Sequence, residues 1–481
     1  MRAKERGKKS NRLSVLPISD DTIAAIATAP GIGGIGVIRI SGPEAAAILG
    51  RLFVPHRLGI LQEDGLLPSH RLCYGTIKDR YGTVLDEVMA VFMRAPHTYT
   101  REDVVEIQCH GSYLVLQAIL AEILMTGARA AEPGEFTKRA FLAGRIDLTQ
   151  AEAVIDLLQA QSMGGVELAV SQLRGELYER ISAIRDALVE LLAVVELALD
   201  FPDDETDILV ADRLLGQIQE QVEQPLRSLL ALADQGRVIR EGVKAVIIGR
   251  PNVGKSSLLN QLLQEERALV TEIPGTTRDT IEELIAVQGI PVHLVDTAGI
   301  REHEDAVEEL GIERARQKMR EADLVLFVVD ASRGLSAIDK ELYTSLDDRK
   351  RIAVLNKKDI ADQELAQELS SFFAAVPQVW TTAKRGEGIS ALRDTIYQAI
   401  VGEKETMGEG ISCAPNLRHK MILEKTLSAC AQVKQTLAMG GPADLLAVDL
   451  RLALDHLADI VGLTTPDDVL DVLFTRFCIG K

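Results

Sequence analysis

Cysteine is scarce in this chain, and none of the five residues (Cys73, Cys109, Cys413, Cys430, Cys478) stands in a Cys-x-x-Cys pair. That excludes a disulfide framework and a zinc ribbon, and a reducing cytosol fits. Long apolar runs are also missing. The most apolar stretch, Ile181 to Phe201, is interrupted by Arg185, Asp186, Glu190 and Glu196, the pattern of a packed amphipathic helix rather than a membrane span. The basic start, Met1 to Arg12, lacks the apolar segment of a secretory signal and reads as a solvated tail rather than a nucleic-acid arm. Positive charge is in deficit: 53 Lys and Arg against 71 Asp and Glu give a net charge of −18. This opposes non-specific nucleic-acid binding, which draws on phosphate neutralisation, and leaves room only for a local basic groove for a structured RNA. Internal repeats and low-complexity segments are absent. What remains, 47% apolar and 26% charged residues in 481, is ordinary soluble protein of about two to four domains.

The informative segment is Gly249 to Ser256, Gly-Arg-Pro-Asn-Val-Gly-Lys-Ser, a phosphate-binding loop between a β-branched run (Val243 to Ile248) and an apolar helical pattern (Leu258, Leu259, Leu262, Leu263). Backbone N–H groups in such a loop wrap phosphates, and the helix N-terminus adds a favourable dipole. Lys255 is expected at the β/γ-phosphates and the Ser256 hydroxyl on Mg²⁺. Asp296-Thr297-Ala298-Gly299 ends a second strand, Pro291 to Val295, with an Asp for Mg²⁺ and a Gly amide for the γ-phosphate. Asn356-Lys357-Lys358-Asp359 closes the strand Ile352 to Leu355, and the Asp359 carboxylate suits the guanine N1–H and exocyclic amine. Adenine has no such donor pair, so this element selects GTP. Thr382-Ala383-Lys384, after Gln378 to Trp380, suits the loop that caps the guanine oxygen. Between them Gly275-Thr276-Thr277-Arg278-Asp279 offers Thr277 to Mg²⁺ while the γ-phosphate is present.

The hydrolytic device is not given by these motifs. Where small signalling GTPases carry a water-orienting Gln, this chain has Ile300, which neither orients nor deprotonates water. Two replacements are open. Asn252 can bind a monovalent cation where an arginine finger would lie, with backbone carbonyls around Thr271 to Ile273 completing the cage. A carboxylate from Glu302 to Glu313 can polarise water, although such a stretch is more often a solvated helix face.

The rest of the chain divides around this segment. Residues 1–19 form the basic tail. Residues 20–144 mix strands (Val37 to Ile40, Glu87 to Phe92, Val104 to Gln108) with helices such as Leu114 to Met125, an α+β module. Residues 145–240 are helical: Leu148 to Gln161, a long helix from about Val166 to Leu199, and another after Pro202. The GTPase segment spans 241–400 after a joint marked by Gly236 and Gly242, and helical periodicity returns over 401–481. One helical domain built from both flanks, with the GTPase inserted, is the economical arrangement. The fold class expected is therefore multidomain α/β plus α: an N-terminal α+β module, a discontinuous helical domain and an inserted Ras-like P-loop GTPase domain. Gly31-x-Gly33-x-x-Gly36 matches a dinucleotide fingerprint by letter, but strand-like Val37-Ile38-Arg39-Ile40 follows where a helix is required, so it reads as a glycine turn.

Several segments together resemble the MnmE (TrmE) family of tRNA-modifying GTPases. They are Gly31 to Gly42, Glu106-Ile-Gln-Cys-His-Gly111, Pro133-Gly-Glu-Phe136, Arg139 to Glu152, Asp200-Phe-Pro-Asp-Asp-Glu205, the GTPase elements and the terminal Phe477-Cys-Ile-Gly-Lys481. The resemblance covers residues 20 to 481. It implies an N-terminal folate-binding module that also dimerises, and a potassium-activated GTPase whose G domains pair across a homodimer. It implies nucleotide contacts over Asn252, Val253, Gly254, Lys255, Ser256 and Ser257, over Thr271, Glu272, Ile273, Pro274, Gly275, Thr276 and Thr277, and at the later motifs already named. It further implies K⁺ on Asn252 and Thr276 with backbone groups of Thr271 and Ile273, Mg²⁺ on Ser256 and Thr277, and a catalytic carboxylate at Glu308 acting with Lys255 and Thr277.

The same resemblance implies an FAD- and NADH-using partner, MnmG (GidA), in a heterotetrameric or larger complex. The product is a modified C5 of the wobble uridine in certain tRNAs. The methylene comes from methylene-tetrahydrofolate, bound in that form or as 5-formyl-tetrahydrofolate, and the amine from ammonium or glycine. Folate contacts map onto Arg39, Glu106, Arg145 and Lys481, and Cys478 becomes a candidate functional thiol. Two rivals stand beside this reading. A ribosome-assembly GTPase of the Era or Der kind would carry a KH-type module or a second G domain, and the sequence shows neither. A purely mechanical oligomerising GTPase would have no use for a folate module. If Asn252 and loop carbonyls form a cation cage, GTP hydrolysis rises strongly when Na⁺ is exchanged for K⁺; equal steady-state rates in the two salts would remove the cage.

Overall fold

The computed structural model describes residues 20–57, 59, 61–62, 65–201, 210–266, 282–296, 322–346, 349–402 and 410–481. The chain forms two compact units: the segment up to Ile155 with Leu454–Lys481, and Asp156–Ala453. Among the described residues no helix is long and apolar enough to cross a membrane.

The first unit is built on a seven-stranded sheet of order β3-β4-β5-β6-β2-β1-β7. Its strands are β1 (Ile23–Ile26), β2 (Gly33–Ser41), β3 (Phe53–Pro55), β4 (Arg71–Lys78), β5 (Val84–Met93), β6 (Val104–Gly111) and β7 (Arg129–Ala130). All pairs are antiparallel except β1 with β7. Period-two alternation puts Ile38, Ile40, Val105 and Ile107 into one core with the helices Ala45–Leu52 and Tyr113–Met125. The alternate residues, Arg39 and Glu106 among them, lie on the opposite face. The glycine-rich start of β2, expected as a turn, is extended strand from Gly33 onward, and no helix follows it. Gly36 is small because Leu116 packs where a side chain would stand. The C-terminal helix Asp467–Phe474 returns to this unit. Phe474 and Phe477 pack with Phe141, Leu148 and Leu470, so the last residues of the chain are anchored on the first domain.

The second unit holds a six-stranded sheet of order β13-β12-β11-β8-β10-β9. It comprises β8 (Val243–Ile248), β9 (Glu282–Val287), β10 (Ile290–Asp296), β11 (Leu324–Asp330), β12 (Arg351–Asn356) and β13 (Gln378–Thr381), parallel but for β9. All seven residues of β11 are buried, as a central parallel strand covered on both faces requires. Helices Lys255–Glu266 and Ile389–Val401 join one face, and Ala337–Thr344 with Gln363–Phe372 flank the other.

The helical flanks pack together around this insert. In Glu176–Asp200 the buried positions Leu177, Ile181, Ile184, Leu188, Leu191, Val195 and Ala198 recur every three or four residues, one stripe of an α-helix. The single long helix expected from 166 to 199 is two helices, Met163–Leu173 and Glu176–Asp200. Gly175 between them has φ +89°, a left-handed conformation that ends the first helix and opens the second. Gly236 is not a joint either: it lies inside the helix Gln224–Glu241, where a Cβ would sit 2.5 Å from that of Ala414. Gly242, at φ +74° against Pro291, is the true break. On the far flank, Leu417–Ala438 packs on Gln224–Glu241, with Lys434 Nζ donating to Glu223 at 3.0 Å and Lys420 Nζ to Asp234 at 2.8 Å. The Gln172 amide donates to Ala414 O at 2.7 Å, and Arg240 donates to the carbonyls of Ala414 and Pro415. Chain entry to the insert and exit from it therefore meet at one spot.

Phe474→Ala would leave a cavity under the docked tail. The first unit should lose about 3–5 kcal/mol, read as a lowered urea midpoint for that unit.

Candidate functional site

The nucleotide loop joins β8 to the helix Lys255–Glu266. Its glycines are demanded by space. A side chain at Gly249 would strike the Val328 carbonyl, and one at Gly254 the Asn356 amide. Asn252 takes a left-handed conformation, φ +63°, which Asn tolerates better than other side chains. Val253 is buried and Lys255 nearly so. The Lys255 ammonium donates to Gly249 O and Arg250 O, both at 2.9 Å, which fixes it inside the loop. Arg250 pairs with Asp339 at 2.8 Å, and Asp339 is itself part of a capping box with Ser336. Ser256 and Ser257 are exposed on the first helical turn.

The base-reading segments converge on this loop because parallel strands end together. Asn356, 2% exposed, donates through Nδ2 to Val253 O at 2.8 Å; its Oδ1 accepts from Ala383 N at 3.0 Å and Thr381 Oγ1 at 3.2 Å. Lys357, at φ +63°, donates through Nζ to Asn252 O at 2.9 Å and to Asp330 at 2.6 Å. Burial pushes the Asp330 carboxyl up, but hydrogen bonds from Lys357 and Ser332 outweigh it and hold the pKa below the usual carboxylate value. Asp359 sits in the short turn Lys358–Ile360, with the exposed Arg385 guanidinium 3.8 Å away. Thr382 is buried and donates its backbone N–H to Glu387 O at 2.9 Å, while Lys384 is exposed. Asp296 ends β10, its backbone in register with Ile247 of β8. Thr271, Glu272, Ile273, Pro274, Gly275, Thr276 and Thr277 lie outside the described residues, as do Thr297, Ala298, Gly299 and Glu308.

A second constellation lies wholly in the first unit. Arg39 and Glu106 are cross-strand partners on β2 and β6, and the guanidinium reaches Glu106 Oε1 through Nε at 2.8 Å and Nη2 at 2.7 Å. Both bonds land on Oε1, so Oε2 has no donor among the described residues. Arg39 also donates to Gly480 O at 3.3 Å. Gly480, at φ +95°, presses against the backbone of Ile26 and Ala27, where a side chain would collide. Lys481 follows directly on this contact, its backbone N–H donating to Cys478 O at 3.3 Å. Tyr99, which the sequence reading did not single out, ties the group together. The Arg145 guanidinium lies 4.8 Å and that of Arg39 5.8 Å from its ring centre, and its hydroxyl meets Thr137 at 3.0 Å. Phe136, fully buried, backs Arg39 at 5.7 Å.

Known proteins match nearly the whole chain. Residues 22–145 fit the family model of the GTP-binding protein TrmE N-terminus, and residues 148–478 fit that of the MnmE helical domain. The tRNA modification GTPase MnmE of Desulfotalea psychrophila is 52% identical, over 96% of this chain and 98% of the relative. Those of Carboxydothermus hydrogenoformans and Geobacter sulfurreducens are 45% and 46% identical, each over 96% of this chain and over 100% and 99% of the relative. This chain belongs to the MnmE family. The match runs through both helical flanks and the N-terminal module, which the Era or Der reading leaves unexplained.

The residues present suit the groups that an MnmE protein uses. Asn252 offers a neutral amide oxygen, a donor suited to an alkali cation, and among the described residues nothing holds its side chain. Ser256 presents an exposed hydroxyl at a helix N-terminus, where Mg²⁺-bound phosphate oxygens sit in phosphate-loop proteins. An acceptor such as Glu106 Oε2 is what the amino edge of a pterin requires. Cys478 is the one exposed thiol; Cys73, Cys109, Cys413 and Cys430 are buried. Burial pushes Cys109 up to about 11 and Cys430 up to about 12, which keeps both inert. Asp359→Asn replaces an acceptor with a mixed donor–acceptor amide. GTP affinity should fall by two or more orders of magnitude, about 3 kcal/mol or more, while xanthosine triphosphate, with a carbonyl at C2, gains, as competition binding will read.

Proposed function

We propose that this chain is a potassium-activated GTPase that acts with an FAD-dependent MnmG (GidA) partner. Together they add an aminomethyl or carboxymethylaminomethyl group at C5 of the wobble uridine of certain tRNAs, using a tetrahydrofolate one-carbon unit. The observation that carries the proposal is the coexistence, in one chain aligned over 96% of its length with an MnmE relative, of a guanine-type site and the Arg39–Glu106 pair. GTP is held by the loop from Asn252 to Ser257 and by Asn356, Lys357, Asp359 and Thr382 to Lys384. Lys255 neutralises phosphate charge, Ser256 and Thr277 hold Mg²⁺, and Asn252 with Thr276 and the Thr271 and Ile273 backbones holds K⁺, which supplies positive charge beside the phosphates. Glu308 orients the attacking water, a task that Ile300 cannot perform. Thr271 to Thr277, Thr297 to Gly299 and Glu308 enter on the sequence motifs and the family resemblance, and the resemblance alone selects Thr276 for K⁺ and Glu308 within its acidic stretch.

In the N-terminal module, residues 20–144, Glu106 accepts from the pterin, Arg39 fixes that carboxylate, and Arg145 and Lys481 answer the charge of the folate. The helical domain comprises 145–240 and 401–481, with the GTPase at 241–400. The working form is a homodimer that also binds tRNA. Reconstitution with the flavoprotein, a reduced folate and tRNA tests the whole reading. Glu106→Gln should lose folate binding and tRNA modification while hydrolysing GTP normally. Glu308→Ala should keep nucleotide and folate affinity but lose turnover. Cys478→Ser should lower modification and leave GTP turnover intact. A wild-type protein that binds no reduced folate would overturn the modification reading.

A further inference from the structure

Two adjacent carbonyls of the phosphate loop are tied to two adjacent residues of the base-reading segment: Val253 O to the Asn356 amide at 2.8 Å, and Asn252 O to the Lys357 ammonium at 2.9 Å. The first link is complete in itself, since Asn356 is buried and its other amide atom is also bonded. The second depends on a third residue. Lys357 Nζ lies 2.6 Å from Asp330, whose side chain is 4% exposed at the end of β11. Asp330 is in register with Asn356 on β12, so the fully buried strand β11 sets the height of the carboxylate relative to the lysine. Ser332 Oγ at 2.6 Å and Ser332 N at 3.1 Å donate to Oδ1, while Oδ2 takes the ammonium, with the exposed Arg333 guanidinium farther off at 3.9 Å. The carboxylate is thus oriented from one side and loaded from the other.

From this geometry we infer that Asp330 is a positioning residue for the monovalent-cation site. Through Lys357 it holds the backbone of Asn252 at the distance at which the Asn252 amide selects K⁺ over Na⁺. The inference rests on the potassium reading given above and deepens it. Ion selection by an oxygen cage requires its ligands to be held to within about 0.5 Å. Asn252 is a left-handed residue with an exposed side chain, so its own loop gives it little support. The Lys357 bond to its carbonyl supplies that support, and a charge-assisted bond to Asp330 is about twice as strong as a neutral one at keeping the ammonium in place. Guanine recognition and cation selection then share a lysine, and a base seated against Lys357 and Asp359 steadies the cation ligand.

Asp330→Asn keeps the shape and one acceptor but removes the charge. GTP hydrolysis at saturating GTP and the melting temperature of the protein with a non-hydrolysable GTP analogue are each titrated with KCl at constant ionic strength. The half-saturating K⁺ concentration should rise about fivefold or more in both readouts, the lower end of ordinary coupling between sites, and the preference for K⁺ over Na⁺ should narrow. Ser332→Ala, a milder change, should move both in the same direction by less, and serves if Asp330→Asn does not fold. A merely structural role for Asp330 would lower the melting temperature or the maximal rate at every salt concentration and leave the K⁺ midpoint where it was; that result overturns the inference. A wild-type protein whose rate and melting temperature do not distinguish K⁺ from Na⁺ overturns the potassium reading, and this inference with it.

Discussion

The amide of Asn356 holds the nucleotide site together. Two chain segments far apart in sequence, the phosphate loop at Val253 and the stretch from Thr381 to Ala383, meet on one buried side chain whose donor and acceptor are both satisfied. An unsatisfied partner left buried costs about 1–3 kcal/mol, so neither segment can leave alone without that cost. The parallel sheet makes the meeting possible, because β8, β11, β12 and β13 all end on one edge. The glycines at 249 and 254 follow from it: the loop must approach Val328 and Asn356 more closely than any Cβ permits.

The first unit uses a different device, a charged pair across two antiparallel strands, backed by aromatic rings. Arg39 and Glu106 are opposite each other on β2 and β6, Phe136 and Tyr99 flank the guanidinium, and the returning C-terminus supplies Gly480. The helix carrying Phe136 is fastened by Glu135, which accepts from Arg129 and Arg139. Burial raises the Glu135 pKa, but these bonds and that from Glu132 N hold it below the ordinary value. A depressed carboxylate stabilises the fold above its unfolded pKa, and that contribution is lost as pH falls through the folded value. The scaffold of the site is therefore weakened by acid.

Much of this was legible in the chain. The strands around the phosphate loop were marked by β-branched runs, and β8 coincides with the segment expected from Val243 to Ile248. Arg39 and Glu106 were legible only through the resemblance, because nothing local to either residue announces that β2 and β6 will be neighbours. Tyr99 escaped notice for the same reason: it lies in a loop, and its meaning comes from the two guanidinium groups that the fold brings to it. The long helix was misread at Gly175, since apolar periodicity continues across the break and only the left-handed glycine interrupts the backbone. Gly236 erred in the opposite direction. A glycine read as a break is there to admit Ala414. The letters of a dinucleotide fingerprint at Gly31 to Gly36 were correctly discounted, because the strand that follows cannot present a helix N-terminus.

Entry and exit of the GTPase meet at Arg240, which grips the returning carbonyls of Ala414 and Pro415 two residues before the break at Gly242. A domain attached by widely separated strands would be braced like a bridge between two piers. Here the nucleotide-binding part grows from its bundle like fruit from one stalk. Its reorientation therefore leaves the helices beneath folded, but besides rotating a few backbone dihedrals beside the stalk it must part Gly289 from Gly164 and His293 from the Glu241 carbonyl.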